Sequence, residues 1–170
     1  MASVLSGSAH RFEPNDDINT DYIISGRYKF KIDDMSDLAR HVMEDIDPGF
    51  AARVEAGDFI VAGRNFGCGS SREQAPRTLK AAGVSAVLAK SYARIFYRSS
   101  FNVGLPLLQC DTDWISAGDE LVVDLARGEV CCPARGVKVA TAPVPRTMQI
   151  LLDDGGLVEH LKKHGGFALD

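Results

Sequence analysis

The chain has 170 residues, of which 45% are hydrophobic and 25% charged, and its formal net charge is −4. This composition predicts one globular domain, spanning residues 1–170, with enough length to bury a core. It shows no basic excess for nucleic acid and no apolar run near the ~18 residues of a membrane span. Met1–His10 lacks the pattern of a signal peptide, so we expect a cytoplasmic protein.

The first part of the chain is predicted to contain few long elements. Residues 1–13 favour a lead-in and an edge strand, residues 15–22 are acidic and turn-rich, and residues 23–30 favour a loop. Ser36 is a suitable helix cap. Three apolar residues then recur at helical spacing before a proline ends the run: Leu38, Val42 and Ile46. A second short helix is predicted over residues 50–54.

Strands and helices then alternate along the chain. Three apolar segments predict strands: residues 59–62, 84–89 and 105–108. Two segments between them predict helices: residues 72–82, closed by Gly83, and residues 91–102, capped by Ser91. This alternation favours a βαβαβ unit with a parallel sheet.

The rest of the chain changes character. Short alternating strands around a turn at Gly128 predict a hairpin and one further strand, and Pro145 opens a helical stretch that breaks at Gly155 and Gly156. The predicted fold class is therefore α/β, with a parallel βαβαβ unit, antiparallel hairpin strands and a C-terminal helix.

The cysteines and histidines do not predict a metal centre. The four cysteines include no CxxC pair, and the adjacent Cys131 and Cys132 are expected on opposite faces of a strand. His160 and His164 lie four residues apart on the predicted terminal helix. We expect them to be two solvated polar residues near a helix end, and we assign no metal site to this chain.

The segment "GRNFGCGSSREQAP", at residues 63–76, lies between a predicted strand and the start of a predicted helix. Unpaired backbone N–H groups and the positive end of the helix dipole favour an anion at such a place. Gly69 allows the backbone to approach a ligand closely, and Ser70 and Ser71 add hydroxyl groups. The Arg72 guanidinium suits a carboxylate or phosphate. The loop therefore predicts an anion site.

Other interpretations of this loop fit its residues less well. The glycine spacing is G-x-x-x-G-x-G rather than the dinucleotide pattern GxGxxG. Cys68 has no histidine near it in sequence, which favours a small structural residue over a nucleophile. Ser70 is not in a GxSxG motif, and no Ser-His-Asp set can be assembled. A turn with a serine cap and no ligand remains the simplest alternative.

Three segments together resemble one known family. They are "DDINTDYII" at residues 16–24, "NFGCGSSRE" at residues 65–73 and "AKSYARIFYRSSFNVGLPLL" at residues 89–108. In order and spacing they are similar to the swivelling domain of the aconitase superfamily, and the resemblance covers roughly residues 14–110. A free-standing chain of this length resembles the small subunits of isopropylmalate isomerase or homoaconitase type enzymes.

The resemblance implies a hydro-lyase subunit that is active only with a large subunit, in a heterodimer or heterotetramer. The large subunit would carry a [4Fe–4S] cluster, and this chain no cofactor. The substrate would be a small hydroxy-carboxylic acid, which is dehydrated and often rehydrated at the neighbouring carbon, as in leucine biosynthesis. An isolated small subunit would expose its partner face and could self-associate.

The resemblance also assigns roles to individual residues. Two are catalytic candidates: Ser70 as the base and Asp21 as an acid that organises its neighbours. Six are expected to contact substrate: Gly69, Ser71, Arg72, Arg27, Lys29 and Phe30. Three are expected to support the site: Thr20, Cys68 and Arg94. The alternatives are a turn or helix cap for Asp21 and a substrate contact for Arg94.

Two departures from the family pattern bear on function. Gln74 stands where the family usually has a titratable histidine. "SGRYKFK", at residues 25–31, replaces the Pro-Ala-Arg-Tyr-Leu segment that helps to discriminate among substrates. If Lys29 points inward, a homocitrate-type acid or a methylated malate is an alternative to isopropylmalate as the substrate. If Lys29 points to water and Phe30 points inward, this objection to isopropylmalate is removed.

Two hypotheses from other classes remain beside the catalytic one. The chain could be a non-catalytic, regulatory anion-binding module that kept the loop, or a self-sufficient serine or cysteine enzyme. The intact Ser70-Ser71-Arg72 run, together with Asp21, favours the hydro-lyase over a binding module. The lack of a histidine that can be placed beside the loop argues against the third hypothesis.

Overall fold

The computed structural model describes residues 4–28 and 31–169. Its strands are β1 (Val4–His10), β2 (Phe59–Val61), β3 (Ala86–Ala89), β4 (Leu107–Gln109), β5 (Glu120–Asp124), β6 (Glu129–Cys132) and β7 (Val137–Ala140). Its α-helices are α1 (Thr20–Ile23), α2 (Met35–Ala39), α3 (Phe50–Arg53), α4 (Gln74–Ala81), α5 (Arg94–Asn102), α6 (Arg146–Asp154) and α7 (Leu157–His164). None of the helices in these ranges has the length and apolar character needed to cross a bilayer.

The strands form one mixed sheet in the order β4-β3-β2-β1-β5-β6-β7. Strands β1 to β4 pair in parallel, and α4 and α5 connect β2 to β3 and β3 to β4. Strands β5, β6 and β7 pair antiparallel, and β5 also pairs antiparallel with β1. The predicted fold class is confirmed, including the parallel βαβαβ unit and the hairpin strands.

Alternation of side chains along the parallel strands divides the core between the two faces of the sheet. Ile60 and Val87 belong to the cluster that also contains the buried residues of α2, α4 and α5. Phe59 and Leu88 belong to the second cluster, which the hairpin strands complete. Because successive strand residues point to opposite faces, strands that are apolar throughout must be covered on both sides. The sheet is also curled, since Ala142 N–H donates to the Gln109 carbonyl at its far edge, 2.7 Å away.

The prediction of an edge strand at the N-terminus is wrong. Strand β1 lies in the middle of the sheet, between β2 and β5. The sequence of β1 is short and contains small and polar residues, which are typical of an edge strand. The strand nevertheless joins the parallel half of the sheet to the antiparallel half. Gly7 makes this position possible, because a Cβ there would lie 2.4 Å from the Gly57 carbonyl oxygen.

The predicted helix after Ser36 is much shorter than its apolar spacing suggests. Its cap is Asp34, whose carboxylate accepts from the Ser36 and Asp37 N–H groups, so Ser36 is not the cap. Helix α2 ends at Ala39, and the chain continues in turns. Met43 has a φ of 57° and donates its N–H to the Ile23 carbonyl at 2.9 Å. Tertiary pairing with α1 therefore replaces the helix.

Ser91 does not cap α5 either. Helix α5 starts at Arg94, and its cap residue, Ala93, makes no side-chain hydrogen bond. The Ser91 hydroxyl instead accepts from the Asn65 N–H at 2.8 Å, and the Ser91 carbonyl accepts from the Phe66 N–H. The serine therefore fixes the glycine loop rather than the helix.

The C-terminal stretch forms two helices, α6 and α7, around the predicted glycine break. The expectation that His160 is solvated is wrong, since it is fully buried. Its Nε2 accepts from the Ala168 N–H, so its Nδ1 carries the proton and donates to Asp154 at 2.7 Å. Lys163 and His164 also bind Asp154. One carboxylate thus ties the end of α6 to α7.

The Asp154 interactions predict acid-sensitive stability. Hydrogen bonds from Lys163, His160 and His164 hold the pKa of Asp154 well below its usual range. A carboxyl group whose pKa is lowered by folding contributes stability above its unfolded pKa, about 4, and loses it as the pH falls through the folded value. We expect Asp154→Asn to lower the melting temperature at pH 7, and the difference from wild type to shrink below pH 4.

Thermal melts of wild type, Asp154→Asn and the control Asp33→Asn, from pH 7 down to pH 3, test this. Asp33 is exposed, and the described residues give it no ion pair. A wild-type advantage that stays constant across this range would show that the Asp154 charge is not its source.

Candidate active site

The glycine loop is held in place by a distant segment of the chain. Gly67 N–H donates to the Ile18 carbonyl at 2.7 Å, and Thr20 N–H donates to the Cys68 carbonyl at 2.9 Å. The buried Thr20 hydroxyl donates to the Ser70 carbonyl at 2.8 Å. The two segments that carried the sequence pattern, about 50 residues apart, therefore form one unit of paired backbone.

A cleft of about 230 Å³ opens beside this unit. One wall is the loop and the start of α1, and the other is the first turns of α5. Its lining residues are Thr20, Gly67, Gly69, Ser70, Ser71, Arg72, Ala93, Arg94, Ile95, Phe96 and Ser99. The structure therefore brings six of the predicted site residues to one cleft.

The loop presents polar groups that its own fold leaves unused. Ser70 and Ser71 are exposed. Within the described residues, the backbone N–H groups of Gly69, Ser70 and Ser71 have no acceptor. Helix α4 starts just beyond, and its cap residue, Glu73, makes no side-chain hydrogen bond. Free donors and the positive end of a helix suit a carboxylate ligand.

Arg72 is the positioned cation of the cleft. Its Nη1 contacts an Asp21 carboxylate oxygen at 2.6 Å and donates to the Ile24 carbonyl at 2.9 Å. The Arg72 side chain is 16% exposed, whereas Asp21 is 58% exposed. The described residues offer no acceptor to its Nε and Nη2, so two donors remain for a carboxylate in the fork geometry of a guanidinium.

Cys68 lies at the back of the loop. It is not among the residues that line the cleft, and its thiol points to the Asp17 carbonyl at 3.5 Å. Burial, with Asp17 nearby, raises the pKa of the Cys68 thiol. A raised pKa disfavours the reactive thiolate. This environment suits the predicted structural role better than a nucleophile.

Arg94 and two neighbours form the outer wall of the cleft. Arg94 is exposed, and the described residues give its guanidinium no hydrogen bond or ion pair, so no contact supports a bracing role. Sequence reasoning missed Ile95, which is 58% exposed, and Ser99. Nothing in their spacing distinguishes them from an ordinary helix surface.

Arg27, like Asp21 and Cys68, is a predicted site residue that does not line this cleft. Its guanidinium contacts Glu44 and Asp45, each at 2.7 Å. Lys29 and Phe30 lie outside the described residues, so their predicted contacts stay predictions. Gln74 is the first residue of α4, and its carbonyl accepts from Thr78.

The cysteines of this chain do not fit an iron–sulfur cluster. Such clusters require several cysteine thiolates around one site. Among the described residues, the group of three potential ligand side chains that comes together is Asp154, His160 and His164, which contains no cysteine. The reaction proposed below therefore uses no cluster held by this chain.

A family model and several known proteins match this sequence. The model described as the aconitase C-terminal domain matches residues 25–112. The chain belongs to the aconitase C-terminal domain family. The match spans the loop and the βαβαβ unit with α4 and α5, whereas α1, whose first residue also lines the cleft, lies before it.

Several known proteins match this chain over nearly their whole length. The 3-isopropylmalate dehydratase small subunit 2 of Archaeoglobus fulgidus is 56% identical over 97% of this chain and 99% of its own. The corresponding small subunit of Wolinella succinogenes is 53% identical over 94% and 95%. A crystal structure of 3-isopropylmalate dehydratase (leuD) from Methanocaldococcus jannaschii superposes with a TM-score of 0.91, at 44% identity over 95% of each chain.

The close packing of Gly67 against Phe96 of α5 can be tested by substitution. A Cβ at Gly67 would lie 2.1 Å from Phe96 Cγ, and the residue has a φ of 78°. Gly136 has a φ of 63° but has no atom within 4 Å of such a Cβ. We expect Gly67→Ala to lower the free energy of unfolding by roughly 1–3 kcal/mol more than Gly136→Ala, because only the first adds a clash to the backbone strain.

Urea denaturation of both variants measures this difference. Equal losses would mean that Phe96 moves aside without cost and that Gly67 does not fix the packing of the loop on α5.

Proposed function

We propose that this chain is the small subunit of a 3-isopropylmalate dehydratase, the hydro-lyase of leucine biosynthesis. The observation that carries the proposal is the cleft in which Ser70, Ser71 and Arg72 meet unpaired backbone N–H groups. Relatives that are a little over 50% identical across nearly their full length bear this name, and their names support the proposal.

The proposed enzyme needs a large subunit, in a heterodimer or heterotetramer. The large subunit is proposed to hold the [4Fe–4S] cluster, since the cysteines of this chain do not converge. When bound, the cluster supplies an iron that acts as a Lewis acid on the substrate. The small subunit supplies the opposite side of the site.

Arg72 is proposed to bind a carboxylate of the substrate. Its Nη1 is held by Asp21 and Ile24 before any ligand arrives. A planar guanidinium fixed in this way can orient a carboxylate with two parallel hydrogen bonds. The hydroxyl of Ser71 and the loop N–H groups complete the anion site.

Ser70 is proposed to remove the proton from the carbon beside a substrate carboxylate. A serine hydroxyl has a very high pKa in water, so its alkoxide must be stabilised by the site. The free N–H groups of the loop and the charge of Arg72 provide such stabilisation. The Thr20 hydroxyl holds the Ser70 carbonyl and so fixes the backbone that carries the base.

The substrate is proposed to be isopropylmalate rather than homocitrate or a methylated malate. The names of the relatives support this choice, and so does the apolar wall that Ile95 and Phe96 provide beside the polar loop. Side-by-side assays with all three acids decide among them.

Loss of the Ser70 hydroxyl tests the catalytic role. With a cluster-loaded large subunit, we expect Ser70→Ala to lower kcat by roughly 10²–10⁴-fold, because a positioned base is removed. The matched control is Ser116→Ala, at an exposed serine away from the cleft. Hydration of the unsaturated diacid, followed by ultraviolet absorbance, gives the rates. Full activity of Ser70→Ala would contradict the assignment.

A conservative change at Arg72 tests substrate binding. Lysine keeps the charge but loses the fork, so we expect Arg72→Lys to raise KM by roughly 10–100-fold, the effect of about 1.5–3 kcal/mol. Arg98→Lys, at an exposed arginine outside the cleft, is the control.

The same preparations separate the catalytic proposal from a binding module. Wild-type chain that gives no turnover with any cluster-loaded large subunit, yet binds dicarboxylates through Arg72, would favour a non-catalytic role.

A further inference from the structure

One cation of the cleft has no counter-charge among the described residues. Of the described residues that line the cleft, Arg72 and Arg94 are basic and none is acidic. Arg72 is paired at 2.6 Å with Asp21, which lies beside the cleft. Arg94 is exposed, and the described residues give its guanidinium neither a hydrogen bond nor an ion pair. The wall that α5 forms therefore carries an uncompensated positive charge.

The stability of α5 does not explain an arginine at this position. Arg94 is the first residue of the helix, where the positive end of the helix dipole disfavours a cation. The first turn contains no acidic residue, and the cap residue Ala93 makes no side-chain hydrogen bond. A neutral or acidic residue would suit this helix start better. The arginine is therefore explained by a group outside the helix, and that group must be an anion.

Arg72 and Arg94 lie on different walls of the cleft. Arg72 follows the glycine loop, whereas Arg94 begins α5 on the other side. The cleft has a volume of about 230 Å³, which is below the roughly 300 Å³ at which sites for drug-sized ligands begin. Such a space suits a small acid rather than a nucleotide or a peptide. The arrangement therefore fits a short molecule with an anionic group at each end.

We propose that Arg94 binds the second carboxylate of the substrate and makes the site selective for dicarboxylic over monocarboxylic acids. The proposal rests on the function proposed above, in which Arg72 holds the first carboxylate. A large subunit that covers the cleft removes water from Arg94, and a guanidinium without a partner there is costly. The second carboxylate supplies that partner through charge-assisted hydrogen bonds.

An acidic residue of the large subunit is the competing partner for Arg94. Such a residue would cancel the charge of Arg94, as Asp21 cancels that of Arg72. The two arginines would then offer no net charge to a dianionic substrate, so electrostatic matching favours the carboxylate of the substrate. The two partners also predict different measurements. Loss of Arg94 weakens the binding of diacids in the first case and the assembly of the subunits in the second.

Two four-carbon inhibitors that differ by one carboxylate, succinate and butyrate, test the proposal. Each is measured as a competitive inhibitor of isopropylmalate dehydration by the enzyme assembled with its cluster-loaded large subunit. We expect the preference for succinate, taken as the ratio of the two inhibition constants, to be about tenfold smaller in Arg94→Gln than in wild type. KM for isopropylmalate should rise by a similar factor with kcat within about twofold, because a binding contact is lost. Arg94→Lys, which keeps the charge, should restore most of the preference.

The matched control is Arg98→Gln, the same chemical change on the same helix at an exposed arginine outside the cleft. It should leave the preference for succinate as in wild type. A preference that is unchanged in Arg94→Gln, or reduced equally in Arg98→Gln, would overturn the proposal. If Arg94→Gln instead raises only the concentration of large subunit needed for half-maximal activity, Arg94 belongs to the subunit interface and the proposal is wrong.

Binding of the same two acids to the chain alone, followed by NMR, separates this proposal from the proposed function. Succinate should shift the amide signals of Ser71 and Arg72 together with those of Arg94 and Ile95, whereas butyrate should shift mainly the loop signals. Succinate shifts that are confined to the loop would refute the second carboxylate contact, whether or not the enzyme is active. Shifts on both walls, with wild-type assemblies that give no turnover, would retain the diacid site and refute the proposed function.

Discussion

The backbone pairing between residues 15–20 and residues 63–70 is the constraint on which the site depends. Apart from Thr20, the first residue of α1, neither segment has regular secondary structure along this stretch. Glycines leave the loop with few side chains of its own to bury. The loop N–H and carbonyl groups find partners in the other segment instead, from Gly63 N–H on the Asn15 carbonyl to the Thr20 hydroxyl on that of Ser70. Among the described residues, the N–H groups of Gly69, Ser70 and Ser71, which line the cleft, are left without an acceptor. Pairing thus selects which backbone donors remain available to a ligand.

Much of the site could be predicted because its chemistry is local. A strand, a glycine-rich turn and a helix start favour an anion site when polar side chains accompany them, and Ser70, Ser71 and Arg72 are consecutive. The resemblance implied only that Asp21 organises its neighbours; its contact with Arg72 was not predicted, since the two residues are far apart in sequence. Ile95 and Ser99 gave no signal, because their place in the cleft follows from which helix packs beside the loop.

The fold predictions failed where tertiary contacts override local preference. Ser36 and Ser91 are good cap residues by type, but Asp34 caps one helix and the hydroxyl of Ser91 is used by the loop. The apolar residues after Leu38 do recur at helical spacing. The helix nevertheless ends before Met43, whose N–H pairs with the Ile23 carbonyl of α1. His160 was expected in water because it lies near a helix end, and only the folded chain shows the Asp154 carboxylate that allows its burial.

The anchoring of Arg72 has a consequence for how the subunits meet. A free arginine side chain has about 1.5–2 kcal/mol of rotamer entropy to lose on ordering. Here Asp21 and the Ile24 carbonyl order it within the small subunit itself. In the proposed enzyme, neither the substrate nor the large subunit has to supply the free energy of ordering this side chain. The arginine is already in place before the subunits dock.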